Sequence, residues 1–323
     1  MKKITMLSFF SVLLFLGACG SEKKSDNKKS VAPVKKQSKE ESKPVKPIAT
    51  FNHSPTKPVN GTLKGVVELG ASGFNSFIVN VDKDNNYEVK SKEFGNSLII
   101  EGMTNVNEVT KKLKDYIQKI VEFGVKTDDI HFVVSSGAEM SDASKVIVQE
   151  LKNIGYIINR VTPEEEGIYA LRAVLPNKFK SIAYVVDIGS GNTKISYYKG
   201  DEIVGKDSYG AKYFQNNTAD ELVYKEIKSI AATIPKGKKS LCFIIGGVPF
   251  NMAKSIRKEA NRFTMLSTDI DSYKDVVAKK GKKVESGLNI FKAIVDETGC
   301  KRFVFDWDAN FTIGFLLSLN DKK

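Results

Sequence analysis

The chain has 323 residues and carries 50 Lys and Arg against 38 Asp and Glu, a formal charge of +12. With two His and three Cys it has no His/Cys metal spacing, no disulfide framework and little material for a Ser-His-Asp triad. The basic excess does not point to nucleic acid, because residues 20–60 alone hold ten Lys against four acids; a solvated spacer lying on anionic lipid head groups accounts for that charge more simply.

Lys2 and Lys3 precede an apolar stretch from Met6 to Leu16. It is too short for a stable membrane span and reads as a secretory signal. Leu16-Gly17-Ala18-Cys19 resembles the bacterial lipobox, which implies removal of residues 1–18 and lipidation of Cys19. The expectation is a lipoprotein of the bacterial cell envelope, anchored on a periplasmic or extracellular face. Residues 19–60 then hold the lipidated Cys and a disordered tether that includes His53. They are rich in Lys, Ser, Pro and Glu and nearly lack large apolar residues, so burial cannot offset ordering entropy.

The remaining chain reads as two half-domains, 61–180 and 181–323. A strand around Val66–Leu69 turns into a second at Phe77–Val81. Helical spacing of apolar residues runs from Asn105 to Phe123 and stops at Gly124. Strand Ile130–Val134 follows, then a helix over Asp142–Ile154 closed by Gly155, then strand Tyr156–Val161. Thr162-Pro163-Glu164-Glu165 combines an N-cap, Pro at N1 and Glu at N3, and predicts a helix through Val174. In the second half, strands are predicted at Ile182–Asp187, Lys194–Tyr198 and Glu202–Lys206, with a helix over Ala219–Ile234. Strand Leu241–Ile245 ends in Gly246-Gly247, and Pro249 opens a helix. A helix at Leu288–Thr298 capped by Gly299, strand Arg302–Phe305 and a last helix over Phe311–Leu319 complete the chain. The runs Lys236–Lys239 and Lys279–Lys283 read as solvated loops that could attract a polyanion.

One motif occurs twice. Val66-Val67-Glu68-Leu69-Gly70-Ala71-Ser72-Gly73 returns as Val185-Val186-Asp187-Ile188-Gly189-Ser190-Gly191-Asn192. Each copy is a buried strand, an acid, one aliphatic residue and a Gly/Ser turn before a returning strand. Such a turn exposes backbone N–H groups to a phosphate oxygen, and the acid before it can hold Mg²⁺ beside that phosphate. Two copies suggest two similar halves facing one phosphate-filled cleft. Tight hairpins with no ligand are the plainer alternative for the turns. For Glu164-Glu165-Glu166 the plainer alternative is stabilisation of the helix start, since acids there complement its dipole.

Hairpins leading into helix–strand units, twice over, resemble the duplicated ribonuclease H-like α/β fold of the actin-like ATPase superfamily. Within it, five stretches resemble the exopolyphosphatase/guanosine pentaphosphatase (Ppx/GppA) family: Glu68-Leu69-Gly70-Ala71-Ser72-Gly73-Phe74, Val133-Val134-Ser135-Ser136-Gly137-Ala138, Pro163-Glu164-Glu165-Glu166-Gly167, Asp187-Ile188-Gly189-Ser190-Gly191-Asn192-Thr193 and Ile245-Gly246-Gly247. The resemblance implies hydrolysis of a terminal phosphoanhydride of polyphosphate or a related ligand by Mg²⁺-assisted water attack. It implies Glu166 as general base and Glu68 and Asp187 as metal ligands. Phosphate would lie on Gly70, Ala71, Ser72, Gly73, Gly189, Ser190, Gly191, Asn192 and Thr193, with Lys194 as a point charge and Gly246 and Gly247 as a further ligand loop. A homodimer is left open. The chain also departs from the family pattern. Glu68 stands where the family has Asp, and Lys194 where it has Glu. The Arg residues expected near Met140 and Thr312 are missing. These departures keep a second class open: a degenerate lipoprotein that binds phosphate or a partner without chemistry.

Overall fold

The structure, a computed structural model, describes residues 50–70, 73–94, 106–138 and 142–320. The expected signal, Cys19 and most of the expected tether lie outside these residues, as do Ala71, Ser72 and Met140.

Two mixed sheets carry the fold. In the first, β1 (Thr62–Gly70), β2 (Gly73–Val81) and β3 (Tyr87–Phe94) form an antiparallel meander, and β4 (Ile130–Val134) and β5 (Ile158–Arg160) add in parallel. The order is β3-β2-β1-β4-β5. The second sheet has β6 (Ala183–Ile188), β7 (Asn192–Lys199), β8 (Glu202–Tyr209), β9 (Leu241–Ile245), β10 (Phe263–Leu266) and β11 (Phe303–Asp306). Its order is β10-β11-β9-β6-β7-β8, the same sequence of neighbours with β10 added antiparallel at the edge. The α/β duplication read from the repeated motif is therefore present in the topology.

Helices cover the sheets according to their apolar stripes. α1 (Val106–Glu122) and α2 (Asp142–Asn153) bury Leu113, Ile117, Ile120, Ile147 and Leu151 against one face of the first sheet. α4 (Asp220–Ala232) and α7 (Lys282–Thr298) bury Val223, Ile227, Phe291 and Ile294 against the second. Between the sheets run α3 (Pro163–Val174) and α8 (Phe311–Asn320). α8 is apolar on every side, the composition of a helix buried all round. One core joins Val66, Phe77 and Val133 of the first sheet to Val185, Phe243 and Ile245 of the second through Leu171, Ile313 and Leu316. Each such side chain contributes about 1.5–3 kcal/mol when fully buried. The helices cross closely: at Gly314 a Cβ would run into the Tyr169 carbonyl.

Several elements differ from the sequence reading. α5 (Gly247–Ile256) starts ahead of Pro249, and α7 starts at Lys282 instead of Leu288. β10 and α6 (Lys274–Lys280) have no counterpart among the predicted elements. The Lys279–Lys283 run is thus no loop: it ends α6 and begins α7. The expected tether also stops short of residue 60. Phe51 packs on Phe179, Phe243 and Phe263 with ring centroids 5.4–5.6 Å apart, and His53 stacks on Phe263 at 5.6 Å. A phenylalanine that close to three core rings is part of the fold.

Candidate active site

Both copies of the repeated motif end in the same place. β1 and β6 lie at equivalent positions in the two sheets, and Glu68 and Asp187 both face a cavity of about 350 Å³. The register sets the neighbour of each acid. Glu68 is paired across the hairpin with Asn75, and Asp187 is paired with Lys194. Residues opposite one another in antiparallel strands put their side chains on one face. Asn75 Nδ2 accordingly donates to Glu68 Oε2 at 2.8 Å, and Asn310 Nδ2 donates to the same oxygen at 3.2 Å.

The start of α3 supplies the third carboxylate. Glu165 is taken by the cap: its Oε2 accepts the Thr162 N–H at 2.8 Å, and Thr162 Oγ1 accepts the Glu165 N–H at 3.2 Å. Such a capping pair stabilises a helix start by about 1 kcal/mol. Glu164 and Glu165 are exposed, whereas Glu166, one step further round the helix, is 1 % exposed and lines the cavity. Its Oε1 accepts the Ser136 N–H at 2.6 Å, and its Oε2 is ion-paired with Lys194 Nζ. Ser136 lies just beyond β4, and Ser136 Oγ accepts from Asn192 Nδ2 at 3.1 Å. The two halves therefore meet at Glu166.

Three carboxylates face one ammonium. Burial acts to lower the Lys194 ammonium, but Asp187 and Glu166 outweigh it and hold it above its ordinary value. Burial pushes the Asp187 carboxyl up, with Lys194 opposing and Glu166 adding to the rise. Glu68 accepts its hydrogen bonds from the Asn75 and Asn310 amides. Burial carries it up to about 7, the Asn75 hydrogen bond opposes that, and Glu166 and Asp187 push further upward. Unit charges about 4 Å apart interact by roughly 4 kcal/mol at an effective dielectric of 20, enough to couple the whole set.

The donor set suits a divalent cation held in part by ligand. Among the described residues no three His, Cys, Asp or Glu side chains form a cage. Magnesium does not need one, because it takes one or two carboxylates and completes its shell with water and phosphate oxygens. Glu68 and Asp187 match that pattern: both line the cavity, and burial raises both carboxyls.

The expected phosphate-binding residues divide into groups. Gly70, Gly189, Ser190, Gly191, Asn192, Lys194, Gly246 and Gly247 line the cavity. Gly73 pairs with Gly70 at the mouth of the β1–β2 hairpin. Thr193 is fully buried, does not line the cavity and faces away from it. It pairs with Ile188 of the core, on the opposite strand face from Lys194, and its hydroxyl has no hydrogen-bond partner among the described residues. Thr312, where the family pattern has Arg, is also fully buried and bonds to Asn310. Gly246 has φ of 106° and ψ of 169°, a region open essentially to glycine alone. A Cβ there would lie 2.7 Å from Asp187 Oδ1.

Sequence reasoning missed Asn75, Asn310, Ser136 and Lys283 as members of the cavity or of its hydrogen-bond network. Asn75 had a signal, since it stands seven residues after Glu68, as Lys194 does after Asp187. Asn310 had none. An aromatic wall of Phe94, Phe250, Phe305 and Trp307 completes the cavity. Trp307, read as packing, does pack at 5.4 Å from Phe250 and 5.1 Å from Phe305, and it also faces the cavity.

No protein-family model and no curated protein sequence matches the chain. Solved structures do. A Ppx/GppA enzyme of Aquifex aeolicus superposes with a TM-score of 0.61 at 17% identity, covering 80% of this chain and 99% of that one. Another structure of the Aquifex aeolicus family member gives 0.60 at 17% identity, covering 81% and 98%. An exopolyphosphatase from Cytophaga hutchinsonii gives 0.56 at 15% identity, covering 81% and 98%. At these identities it is the architecture that is shared, over nearly the whole length of each relative: the chain has the fold of the Ppx/GppA structures.

Proposed function

We propose that the cleft binds the end of a phosphoanhydride polyanion, with polyphosphate as the preferred class, and hydrolyses its terminal bond. The observation that carries this reading is the meeting of Glu166, Asp187, Glu68 and Lys194 with the Gly189–Asn192 turn in one cavity. The likeness of fold to the Ppx/GppA structures supports it. In this reading the second turn receives the terminal phosphate and Lys194 faces its oxygens. Glu166 orients a water in line with the bridging oxygen and takes its proton as the new phosphorus–oxygen bond forms. The old phosphorus–oxygen bond breaks, and the shortened chain leaves with the bridging oxygen. Glu68 and Asp187 would hold a magnesium ion, which when bound supplies charge neutralisation at the phosphoryl oxygens. Before Glu166 can accept a proton, its Oε2 must part from Lys194, and phosphate oxygens are the natural competitor for that ammonium.

A second reading is favoured by that same ion pair. With both Glu166 oxygens engaged, the site is a phosphate receptor that performs no chemistry. Phosphate release from polyphosphate in the presence of Mg²⁺, measured beside Glu166→Gln, separates the two. Release that the variant loses supports hydrolysis with Glu166 as base. Binding without release gives the receptor reading, and full activity in Glu166→Gln removes Glu166 from the mechanism.

The envelope location belongs to the same proposal. It is supported by the Leu16–Cys19 sequence at the end of the apolar run. Cys19→Ser should accumulate as precursor without lipid label; normal lipid labelling of that variant would refute the anchor.

A further inference from the structure

Two lysines beside the Gly189–Asn192 turn, Lys283 in the cavity lining and Lys212 next to it, have no carboxylate partner among the described residues. Lys283, in the first turn of α7, lines the cavity together with Ser190, Gly191 and Asn192. Lys212 is tied to the same turn, its N–H donating to the Ser190 carbonyl at 3.0 Å. The two cations act on one another: burial pushes the Lys283 ammonium down, and Lys212 pushes it the same way. Their neighbours are neutralised. Lys282 has Glu285 at 3.3 Å and Asp220 at 4.0 Å, and Lys194 has Glu166. Among the described residues neither Lys283 nor Lys212 has a carboxylate within ion-pair distance. A cation in the first turn of a helix also opposes the helix dipole, so stability gives no reason for Lys283.

Burial orders the cavity from floor to mouth. Glu166, Lys194 and Asp187 are nearly inaccessible, whereas Lys212 and Lys283 are half-buried. A ligand whose terminal phosphate reaches the floor carries its following phosphates outward along the Gly189–Asn192 turn, beside these two ammonium groups. We infer that Lys212 and Lys283 form a subsite for the phosphates behind the terminal one, so that the cleft selects a polymeric phosphoanhydride over a short one. This rests on reading the cleft as a phosphoanhydride site. Lysine suits such a subsite, because a flexible point charge accepts phosphate oxygens at many positions and imposes no register on a chain that must advance.

The chain has a single Trp, and it lines the cavity, so Trp307 fluorescence reports occupancy directly. The full-length protein is titrated with tripolyphosphate and with long-chain polyphosphate, both counted by chain ends, at low and at raised salt. The wild type should hold the long chain at least about tenfold more tightly, the effect of one charge-assisted contact. Lys212→Gln/Lys283→Gln should bring that ratio near one and flatten the salt dependence of the long chain, while tripolyphosphate loses under about threefold. Lys282→Gln, which removes a cation that is already paired, should keep the wild-type ratio. If the double variant shows altered circular dichroism, Lys212→Gln alone carries the measurement. Retention of the wild-type ratio in a folded variant overturns the subsite and leaves the cleft reading intact. Failure of both ligands to bind the wild type overturns the cleft reading, and the subsite with it.

Discussion

Replacing Lys194 with Met tests whether one ammonium holds the cleft together. Lys194 keeps 6 % of its side chain exposed and its partner Glu166 keeps 1 %, so water cannot take over the lost charge. Glu166 would keep the Ser136 N–H but lose its ammonium partner, and Asp187, opposite Lys194 in the hairpin, would lose a cation that opposes its upward shift. Met matches the length of the Lys stem, so little packing is lost with the charge. Removing one member of a buried pair typically costs about 3–5 kcal/mol, because the charge left behind has no partner. Urea unfolding at neutral pH should show that loss. The same measurement on Glu166→Gln and on the double variant closes the cycle. The double variant should lose less than the sum of the singles by about 1–3 kcal/mol, the range for groups in direct contact. The pH dependence has a definite sign. A buried acid with its pKa raised stabilises the fold below its unfolded value, and that contribution fades as pH rises through the folded value. The defect of Lys194→Met should therefore be larger at pH 8 than at pH 5. A loss below about 0.5 kcal/mol, or strict additivity in the double variant, would refute the coupling of Lys194 to the carboxylates.

Three further outcomes are expected. Gly246→Ala places a methyl group against Asp187 Oδ1 in a glycine-only conformation, and should lose at least about 1–3 kcal/mol in a urea titration; wild-type stability would show that the turn relaxes freely. Phe51→Ala removes a half-buried ring packed on three core rings and should lose about 2 kcal/mol, so a chain that unfolds at the wild-type midpoint would return residues 50–60 to the tether. Burial lowers the His131 imidazole below its ordinary value, with Lys64 adding and Asp129 opposing. As pH falls below about 6.5 the unfolded chain takes up a proton that folded His131 refuses, so stability should drop on acidification, and less steeply in His131→Gln; identical slopes would assign the drop to other groups.

The repeated acid-and-turn motif was legible because its parts are local: a strand run, an acid and glycines, each with one structural meaning. It gave the duplicated fold and the place of the cleft. Strand alternation could have separated Thr193 from Lys194, since residues one apart on a strand face opposite ways. Helical phase could have separated Glu166 from Glu165, which the capping box already claims. What was illegible is long-range. Nothing near residue 310 marks Asn310 as a donor to Glu68, because that contact depends on where α8 enters between the sheets. The start of α7 was hidden in a polar run: Val284, Leu288 and Phe291 repeat at helical spacing, but Lys282, Lys283 and Glu285 around Val284 read as loop. β10, four residues at an edge, is too short to announce itself.

The two hairpins share geometry and differ in charge, and that difference decides what each half can contribute. Each places the residue seven positions on beside its acid. In the first copy this residue is an amide, which hydrogen-bonds the carboxylate without balancing its charge, and burial carries Glu68 up to about 7 against that bond. In the second it is an ammonium, which opposes the rise of Asp187 and also reaches Glu166. At neutral pH the first acid is thus near its own midpoint, while the second is tied into an ion-paired set. Exchange of the two partners, Asn75→Lys together with Lys194→Asn, keeps the number of charges and moves the ammonium to the other hairpin. If local pairing alone governs these acids, the exchange should return Glu68 to the ordinary carboxylate range, visible in the carboxyl region of a carbon-detected NMR titration. A Glu68 that still titrates near 7 in the exchanged protein would mean that burial fixes this carboxyl regardless of its partner.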